Sequence, residues 1–254
     1  MRRPPASRRR REGREALEAM SSGHPEPPAA SLAHHFHQAA DVGAAEPALR
    51  WAIRAGDMSM RQGAYEEAAV HYEHAVSRLA PLALEPGPRF ELLLALGRAR
   101  HLGLGDYLRA REAFGAAAAV AREIGDPDRL AEAALAYATI PQSSVPEVEQ
   151  PCRAVLEDAL GAQPAEAGLA RARLQARLGA FLANDPRHQG EAVELATRAL
   201  ASARERNDPR TILEALMALQ RALRLQGIAS PEERLSLSTE AAELAARVGD
   251  AMLE

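Results

Sequence analysis

Two pairs of histidines stand three residues apart in segments with helical spacing. His34 and His37 form one pair, and His71 and His74 form the other. Side chains three residues apart share a helix face, so each pair could offer two imidazoles to a metal ion. Neither pair comes with an HExxH motif or a carboxylate at ligand spacing. We therefore predict that the chain holds no metal and no cofactor.

The residue types that start most covalent reactions are missing or badly spaced. The chain has no lysine, and all 31 of its basic residues are arginine. This excludes a complete Walker A loop, a Schiff-base enzyme and an SxxK hydrolase, because each needs a lysine. Acid pairs such as Glu66–Glu67 and Glu232–Glu233 are adjacent and diverge on a helix, as solvated first-turn acids do. We predict no catalytic residue and no enzymatic activity.

Cys152 is the only cysteine, so an intrachain disulfide and a thiolate zinc cluster are excluded. It falls at a position where the other repeats described below have a small packing residue. We therefore expect a buried structural thiol and not a nucleophile.

The chain has no run of eighteen apolar residues and no apolar stretch of the kind found in a secretory signal near its start, so we predict a cytoplasmic protein with no membrane partner.

Charge is distributed unevenly along the chain. The formal net charge is −4, yet residues 1–14 hold seven arginines and one acid, which leaves 24 arginines against 34 acids elsewhere. A basic arm on an acidic body suits nucleic acid or an anionic membrane. A nucleic-acid-binding accessory protein that uses this Arg-rich arm is therefore the alternative function, although a solvated helix start explains the same residues more simply.

The composition favours an all-α fold. The chain contains 57 alanines in 254 residues and only 4% aromatic residues. Alanine is the strongest helix former, and leucine and arginine follow it closely. No segment alternates between apolar and polar residues with a period of two, so no strand is expected.

A repeat of 41 residues runs through the sequence. Turn-like segments recur at this spacing, with the markers Ala44, Glu85, Asp126, Ala167 and Asp208. A second series inside the units has the same period, and four of its five members are small: Gly56, Gly97, Ala138, Gly179 and Gln220. A small residue at one fixed place in a helix indicates that another helix crosses closely there, since glycine otherwise costs about 1 kcal/mol in a helix.

Apolar spacing and helix breakers predict two helices in each unit. The predicted pairs are 45–62/64–79, 87–104/106–124, 127–140/146–160, 165–183/188–206 and 209–227/231–248, after two leading helices near 8–20 and 29–41. We expect one helical-repeat domain over 1–254, with a flexible basic arm at 1–14, leading helices in 15–43, five pairs over 44–248 and the start of a truncated sixth unit at 249–254. Stacked pairs of this kind form a right-handed α-solenoid.

Residues 48–81 resemble a tetratricopeptide repeat. Gly56, Tyr65, Ala68, Tyr72 and Ala75 stand at the family's spacing, although the period here is 41 residues and not 34. A wider resemblance joins the segments REALEAM, SLAHHFHQAADVGAAEPALRWAIRAGDMSM and GAYEEAAVHYEHAV to the helical region that follows the ATPase in LuxR-type regulators.

Those regulators are signal-transduction ATPases that control transcription. The resemblance implies a non-catalytic scaffold or sensor that binds a protein segment or a small-molecule inducer. Neither the ATPase module nor an evident DNA-binding module is found in this sequence.

In tetratricopeptide arrays the first helix of each pair lines the concave face, so the resemblance implies a groove there. Counting from the small-residue series gives the charged and polar groove candidates Arg50, Asp57, Arg61, Glu91, Arg98, His101, Arg221 and Arg224. The same count gives the neighbours Ile53, Met60, Leu94, Leu102, Glu214, Met217 and Leu225. Arginine forks there suit the carboxylates of a partner peptide or an anionic ligand, and solvated arginine is the plainer alternative.

The last pair predicts an open end. The sixth unit would begin at Val248, so no helix would cover the apolar residues Leu235, Leu237, Ala241, Leu244, Ala245 and Val248. Repeat arrays usually end in a polar capping element, and exposed core-type surface favours association. We therefore expect a homodimer through the C-terminal end, or a frayed last pair, unless another chain covers it.

Overall fold

The structure is a computed structural model that describes residues 45–78, 84–103, 105–139, 146–165, 168–226 and 230–250. The basic arm, the two leading helices and the pair His34 and His37 lie outside these residues. Within the described ranges every regular element is helical and no strand is present. The all-α prediction is confirmed.

Ten α-helices account for almost all of the described chain. They are α1 (Ala45–Arg61), α2 (Tyr65–Val76), α3 (Pro86–Leu102), α4 (Tyr107–Ile124), α5 (Pro127–Thr139), α6 (Pro146–Ala162), α7 (Leu169–Leu182), α8 (Gln189–Glu205), α9 (Pro209–Gln226) and α10 (Pro231–Asp250). A short 3-10 turn, Pro186–His188, precedes α8. The ten α-helices form the five predicted pairs. Each helix ends close to the expected residue because a Pro, Gly or Asp breaker stands there.

The main difference in helix bounds is at the start of α7. The spacing predicts a helix from residue 165, whereas α7 begins at Leu169 because Gly168 has extended backbone, with φ −98° and ψ 162°. At the other end of the chain, α10 continues through Gly249 to Asp250, beyond its predicted end at residue 248. The expected break before a sixth unit therefore does not occur at Val248.

The repeated turns hold the helix starts in place. Gly125 and Asn207 have left-handed backbone with φ of 65° and 52°, and each is followed by an aspartate that caps the next helix. Asp126 accepts hydrogen bonds from the backbone N–H groups of Asp128 and Arg129, which lie in the first turn of α5. These two aspartates belong to the 41-residue marker series, so at these two places the series marks a helix N-cap.

Asp208 caps α9 in the same way. The N–H of Thr211 donates to its carboxylate over 2.7 Å. Hydrogen bonding from Thr211 holds the pKa of Asp208 below its usual range. The carboxylate therefore stabilises the fold above the pKa of an unfolded aspartate, near 4, and this contribution is lost as the pH falls through the lower folded pKa.

We expect Asp208→Ala to lower the free energy of unfolding at pH 7 by about 1 kcal/mol through loss of the cap. Asp208→Asn is the matched control, since asparagine is also a good cap but does not titrate. Urea unfolding measures the free energy of unfolding of the native protein and of Asp208→Asn. Any excess stability of the native protein should shrink as the pH drops below 4. A difference that is constant between pH 7 and pH 3 would contradict the assignment.

The chain divides into two compact units, of which the first ends at Ile124 and the second begins at Gly125. The first contains α1 to α4, with Tyr72, Phe90 and Phe114 among its fully buried side chains. The second contains α5 to α10, with Leu156, Leu174 and Leu216 fully buried. The expectation of one continuous domain over 1–254 stays a prediction.

The small-residue series marks close helix crossings. A Cβ placed on Gly56 would lie 2.5 Å from the ring of Tyr72 on α2, and one placed on Gly97 would overlap the ring of Phe114 on α4. A Cβ on Gly179 would lie 3.0 Å from the carbonyl oxygen of Ala192 on α8. At each glycine the second helix of the pair occupies the space that a side chain would need, as predicted.

Cys152 lies on α6 and is buried, with 1% of its surface exposed. It is next to Pro151, and Leu156 and Ala159 on the same helix are also fully buried. The burial expected from the repeat is confirmed, and the purely structural role stays a prediction.

Helix α10 packs along one stripe only. Leu237, Ala241, Leu244 and Val248 join the apolar cluster formed with α8 and α9, whereas the side chain of Leu235 is 68% exposed. Ala245 is also exposed. The predicted open apolar surface at this end is therefore much smaller than the six residues of the sequence pattern, because four of them are turned towards the preceding helices.

Candidate functional site

The second unit contains a pocket of about 520 Å³ between the first helices of two consecutive pairs. Helices α7 and α9 supply all of its lining residues: Ala176, Arg177, Ala180, Glu214, Met217, Ala218, Gln220, Arg221 and Arg224. We call this the α7–α9 pocket. Its volume falls in the range of small-molecule sites, about 300–1,000 Å³.

Helix spacing explains why α9 presents a basic face with one apolar residue. Met217, Arg221 and Arg224 stand at i, i+4 and i+7, so their side chains follow one another along the same face. The side chain of Met217 is 60% exposed, which is unusual for so apolar a residue. The α9 side of the pocket therefore combines two guanidinium groups with an accessible apolar surface.

Helix α7 contributes two alanines and a third arginine. Ala176 and Ala180 are one turn apart, and Arg177 lies between them. Just along the helix, Arg173 Nε donates to Glu214 Oε2 of α9 over 3.3 Å. These two residues are 41 positions apart, so the ion pair joins equivalent places in neighbouring repeats and ties the two walls of the pocket together.

The pocket is positively charged although its unit is acidic. Residues 125–254 contain 14 arginines and 20 acids. Within the described part of the chain, no carboxylate pairs with Arg177, Arg221 or Arg224, and the one acid that lines the pocket, Glu214, is paired with Arg173. Three guanidinium groups are thus available to a ligand.

Gln220 adds an unused donor to the same pocket. Its Nε2 atom is buried and has no hydrogen-bond partner among the described residues. Gln220 stands where the other repeats have Gly56, Gly97, Ala138 or Gly179 at the helix crossing. An amide whose N–H groups are left unpaired costs stability, which a ligand acceptor would recover.

In the first unit, the predicted groove residues of α1 are not all available. Arg50 and Arg61 are exposed. Asp57, however, accepts a hydrogen bond of 2.7 Å from the hydroxyl of Tyr72. Burial and this bond to Asp57 raise the pKa of Tyr72. Asp57 therefore links the helices of its own pair, and this use of the residue was not visible in the sequence.

The candidates on α3 divide between surface and packing. Glu91 and Arg98 are exposed. His101 is half-buried and its ring lies 5.8 Å from the ring of Tyr107 on α4, at an angle of 49°. Leu94 has 1% of its surface exposed and belongs to the core, as do the partly buried Ile53 and Met60. The expectation that Leu94 lines a groove is wrong, because the helix turns it towards its neighbours.

The histidine pair on α2 does not form a metal centre in the described residues. Burial lowers the pKa of His71 below its usual value, which outweighs the opposite influence of Glu67. Among the residues that the structure describes, no three His, Cys, Asp or Glu side chains come close enough to hold a metal ion.

In the same ranges, no helix is long and apolar enough to cross a lipid bilayer.

Comparison with known proteins identifies the fold. No protein-family profile matches the sequence, and no curated protein is similar to it in sequence. BtubC from P. vanneervenii matches in structure with a TM-score of 0.60 and 15% identity, over 97% of this chain and 93% of that one. A kinesin light chain of Podospora anserina with nearly identical TPR-like repeats matches with a TM-score of 0.56 and 20% identity, over 79% and 96%. The fold is tetratricopeptide-like.

A third solved structure agrees with this result. The MamA protein matches with a TM-score of 0.52 and 17% identity, over 80% of this chain and 94% of that one. Together these similarities confirm the predicted fold class, an α-solenoid of tetratricopeptide-like helix pairs.

Sequence counting found part of the pocket and missed part of it. Arg221 and Arg224 were among the groove candidates, and the structure brings them together with Arg177 and Gln220. Arg177 was missed because it stands two residues before Gly179, a place that is not among the groove positions counted from the small-residue series. Gln220 carried a signal, since it is the one large residue in the small-residue series.

Proposed function

We propose that this chain is a non-catalytic, cytoplasmic binding module that engages a protein segment or a small signal through the α7–α9 pocket. The observation that carries the proposal is the group of three arginines in this pocket, none paired with an acid in the described residues. Arg221 and Arg224 are exposed and Arg177 is half-buried, and accessible guanidinium groups of this kind are well suited to bind anionic groups.

The resemblance to LuxR-type regulators supports a sensor of this kind. In such regulators the helical region is thought to recognise an inducer or partner and to restrain the ATPase. A module with the same role here would transmit occupancy of the α7–α9 pocket to a partner that acts in transcription. The candidates Arg50, Arg61, Glu91 and Arg98 on the first unit remain proposed contacts for that partner.

Site-specific photo-crosslinking tests the proposal. A photoreactive residue replaces Met217, which is exposed inside the pocket, and a matched variant carries it at Leu235, which is 68% exposed on α10 outside the pocket. Both full-length variants are irradiated in the cells that produce the protein. We expect the Met217 variant to give an adduct of defined mass that the Leu235 variant lacks.

The mass of the adduct separates the two kinds of occupant. A large increase indicates a protein segment, and an increase of a few hundred daltons indicates a small signal. Equal adducts at both positions, or none at Met217, would contradict the proposal that the α7–α9 pocket is the binding site.

The alternative function concerns the arginines of residues 1–14, which lie outside the described residues. A nucleic-acid-binding accessory protein would bind DNA with an affinity that falls steeply with salt and is lost when this arm is deleted. None of the lining residues of the α7–α9 pocket belongs to this arm, so the two functions can be tested with separate variants.

A further inference from the structure

We infer that the α7–α9 pocket binds a small organic anion that has two negative charges on one side and an apolar body on the other. This inference rests on the proposed function and names the chemical class of the signal. It follows from the volume of the pocket, the balance of donors and acceptors on its wall, and the position of its apolar residues.

The volume favours a small molecule over a long peptide. A space of about 520 Å³ is lined by residues of two helices, and the Arg173–Glu214 ion pair bridges those helices at one place. Pockets of this size usually enclose a compact ligand. A peptide that lay along the groove between α7 and α9 would need to pass this bridge.

The polar groups are almost all donors. Arg177, Arg221 and Arg224 offer guanidinium N–H groups, and Gln220 offers a buried amide N–H that has no partner in the described residues. The single carboxylate, Glu214, already accepts from Arg173. A ligand must therefore supply acceptors and negative charge, and three guanidinium groups suit a phosphate or a pair of carboxylates.

The apolar residues stand beside these donors. Met217 is one turn from Arg221, and Ala176 and Ala180 flank Arg177 on the opposite wall. The exposed methionine and the two methyl groups make a surface that a ring or a short alkyl chain would cover. An inorganic anion would leave this surface in contact with water.

Calorimetric titration of the full chain with three probes tests the inference. The probes are phenyl phosphate, phthalate and the uncharged phenol, each of which has an aromatic ring. We expect at least one of the two dianions to bind with a Kd of about 1 mM or tighter, an affinity within reach of a ligand of this size. The same dianion should bind at least about tenfold more tightly than phenol. The preferred dianion distinguishes a phosphate ligand from a dicarboxylate.

Arginine variants show where the anion binds. The double variant Arg221→Gln/Arg224→Gln should weaken the preferred dianion at least about tenfold, since hydrogen bonds to charged groups are among the strongest in proteins. Arg198→Gln is the matched control, because Arg198 is exposed on α8, pairs with Glu194 and does not line the pocket. It removes one positive charge from the same unit, against two in the double variant, and should leave affinity unchanged.

Two further variants test the remaining parts of the wall. Gln220→Leu should weaken the dianion about threefold without lowering the melting temperature, because it removes an unpaired buried donor. Met217→Asn should weaken phenyl phosphate and leave inorganic phosphate, a fourth probe, unaffected. Equal affinities for phenyl phosphate and inorganic phosphate in the native protein would overturn the apolar half of the inference.

The inference fails if neither dianion binds, or if Arg198→Gln weakens binding as much as the double variant does. A protein adduct at Met217 in the crosslinking experiment, together with no binding of any probe, would overturn the small-anion inference and leave the proposed function standing. Absence of a specific adduct at Met217 would instead contradict the proposed function.

Discussion

Gly97→Leu should lower the free energy of unfolding by about 3 kcal/mol, at the upper end of the cost of overpacking a core. A Cβ at residue 97 already overlaps the ring of Phe114, which is fully buried between α3 and α4. The ring cannot retreat without moving α4, since Ala110, Ala113 and Ala117 on the same helix are buried as well. Urea unfolding followed by circular dichroism measures the change.

Two variants make this result specific. Gly161→Leu inserts the same side chain at a helical glycine of α6 whose added Cβ would meet no atom within 4 Å, and it should change stability by far less. In a protein that already carries Phe114→Ala, Gly97→Leu should lower the free energy of unfolding by less than it does in the native protein. The reason is that the two side chains compete for one space. If Gly97→Leu and Gly161→Leu are equally stable, the crossing deduced from the 41-residue series is wrong.

Leu244→Glu should destabilise the second unit by about 3 kcal/mol or more. Leu244 has 6% of its surface exposed and packs in the apolar cluster that contains Leu216, Leu219 and Ala241. Placing a carboxylate there buries an unpaired charge and removes apolar contacts. Thermal unfolding at neutral pH measures the loss, and an unchanged melting temperature would contradict the packing of α10.

Self-association of the C-terminal end is tested with Leu235→Glu, because a change at the buried Leu244 would disturb the core itself. Leu235 is 68% exposed, so the substitution leaves the core intact. If the C-terminal end forms the proposed homodimer, sedimentation should show a concentration-dependent dimer that Leu235→Glu weakens. A protein that sediments as a monomer at all concentrations would contradict the dimer.

Helices and their pairing follow from local properties of the sequence. Alanine content, the caps at Asp126 and Asp208, and prolines beside them act within a few residues of their own position, so they are readable without a structure. The close crossings were also readable, because the repeat placed Gly56, Gly97 and Gly179 at equivalent positions. The 41-residue period supplied the evidence that one residue alone could not.

The available surface was decided by tertiary packing. Counting placed Asp57 and Leu94 in a groove, but the hydroxyl of Tyr72 holds Asp57 and neighbouring helices bury Leu94. Conversely, only packing brings Arg177 of α7 beside Arg221 and Arg224 of α9, 44 and 47 residues later in the sequence. A periodic pattern states which side of a helix a residue occupies, whereas a binding site depends on which other helix stands opposite and which charges that helix neutralises.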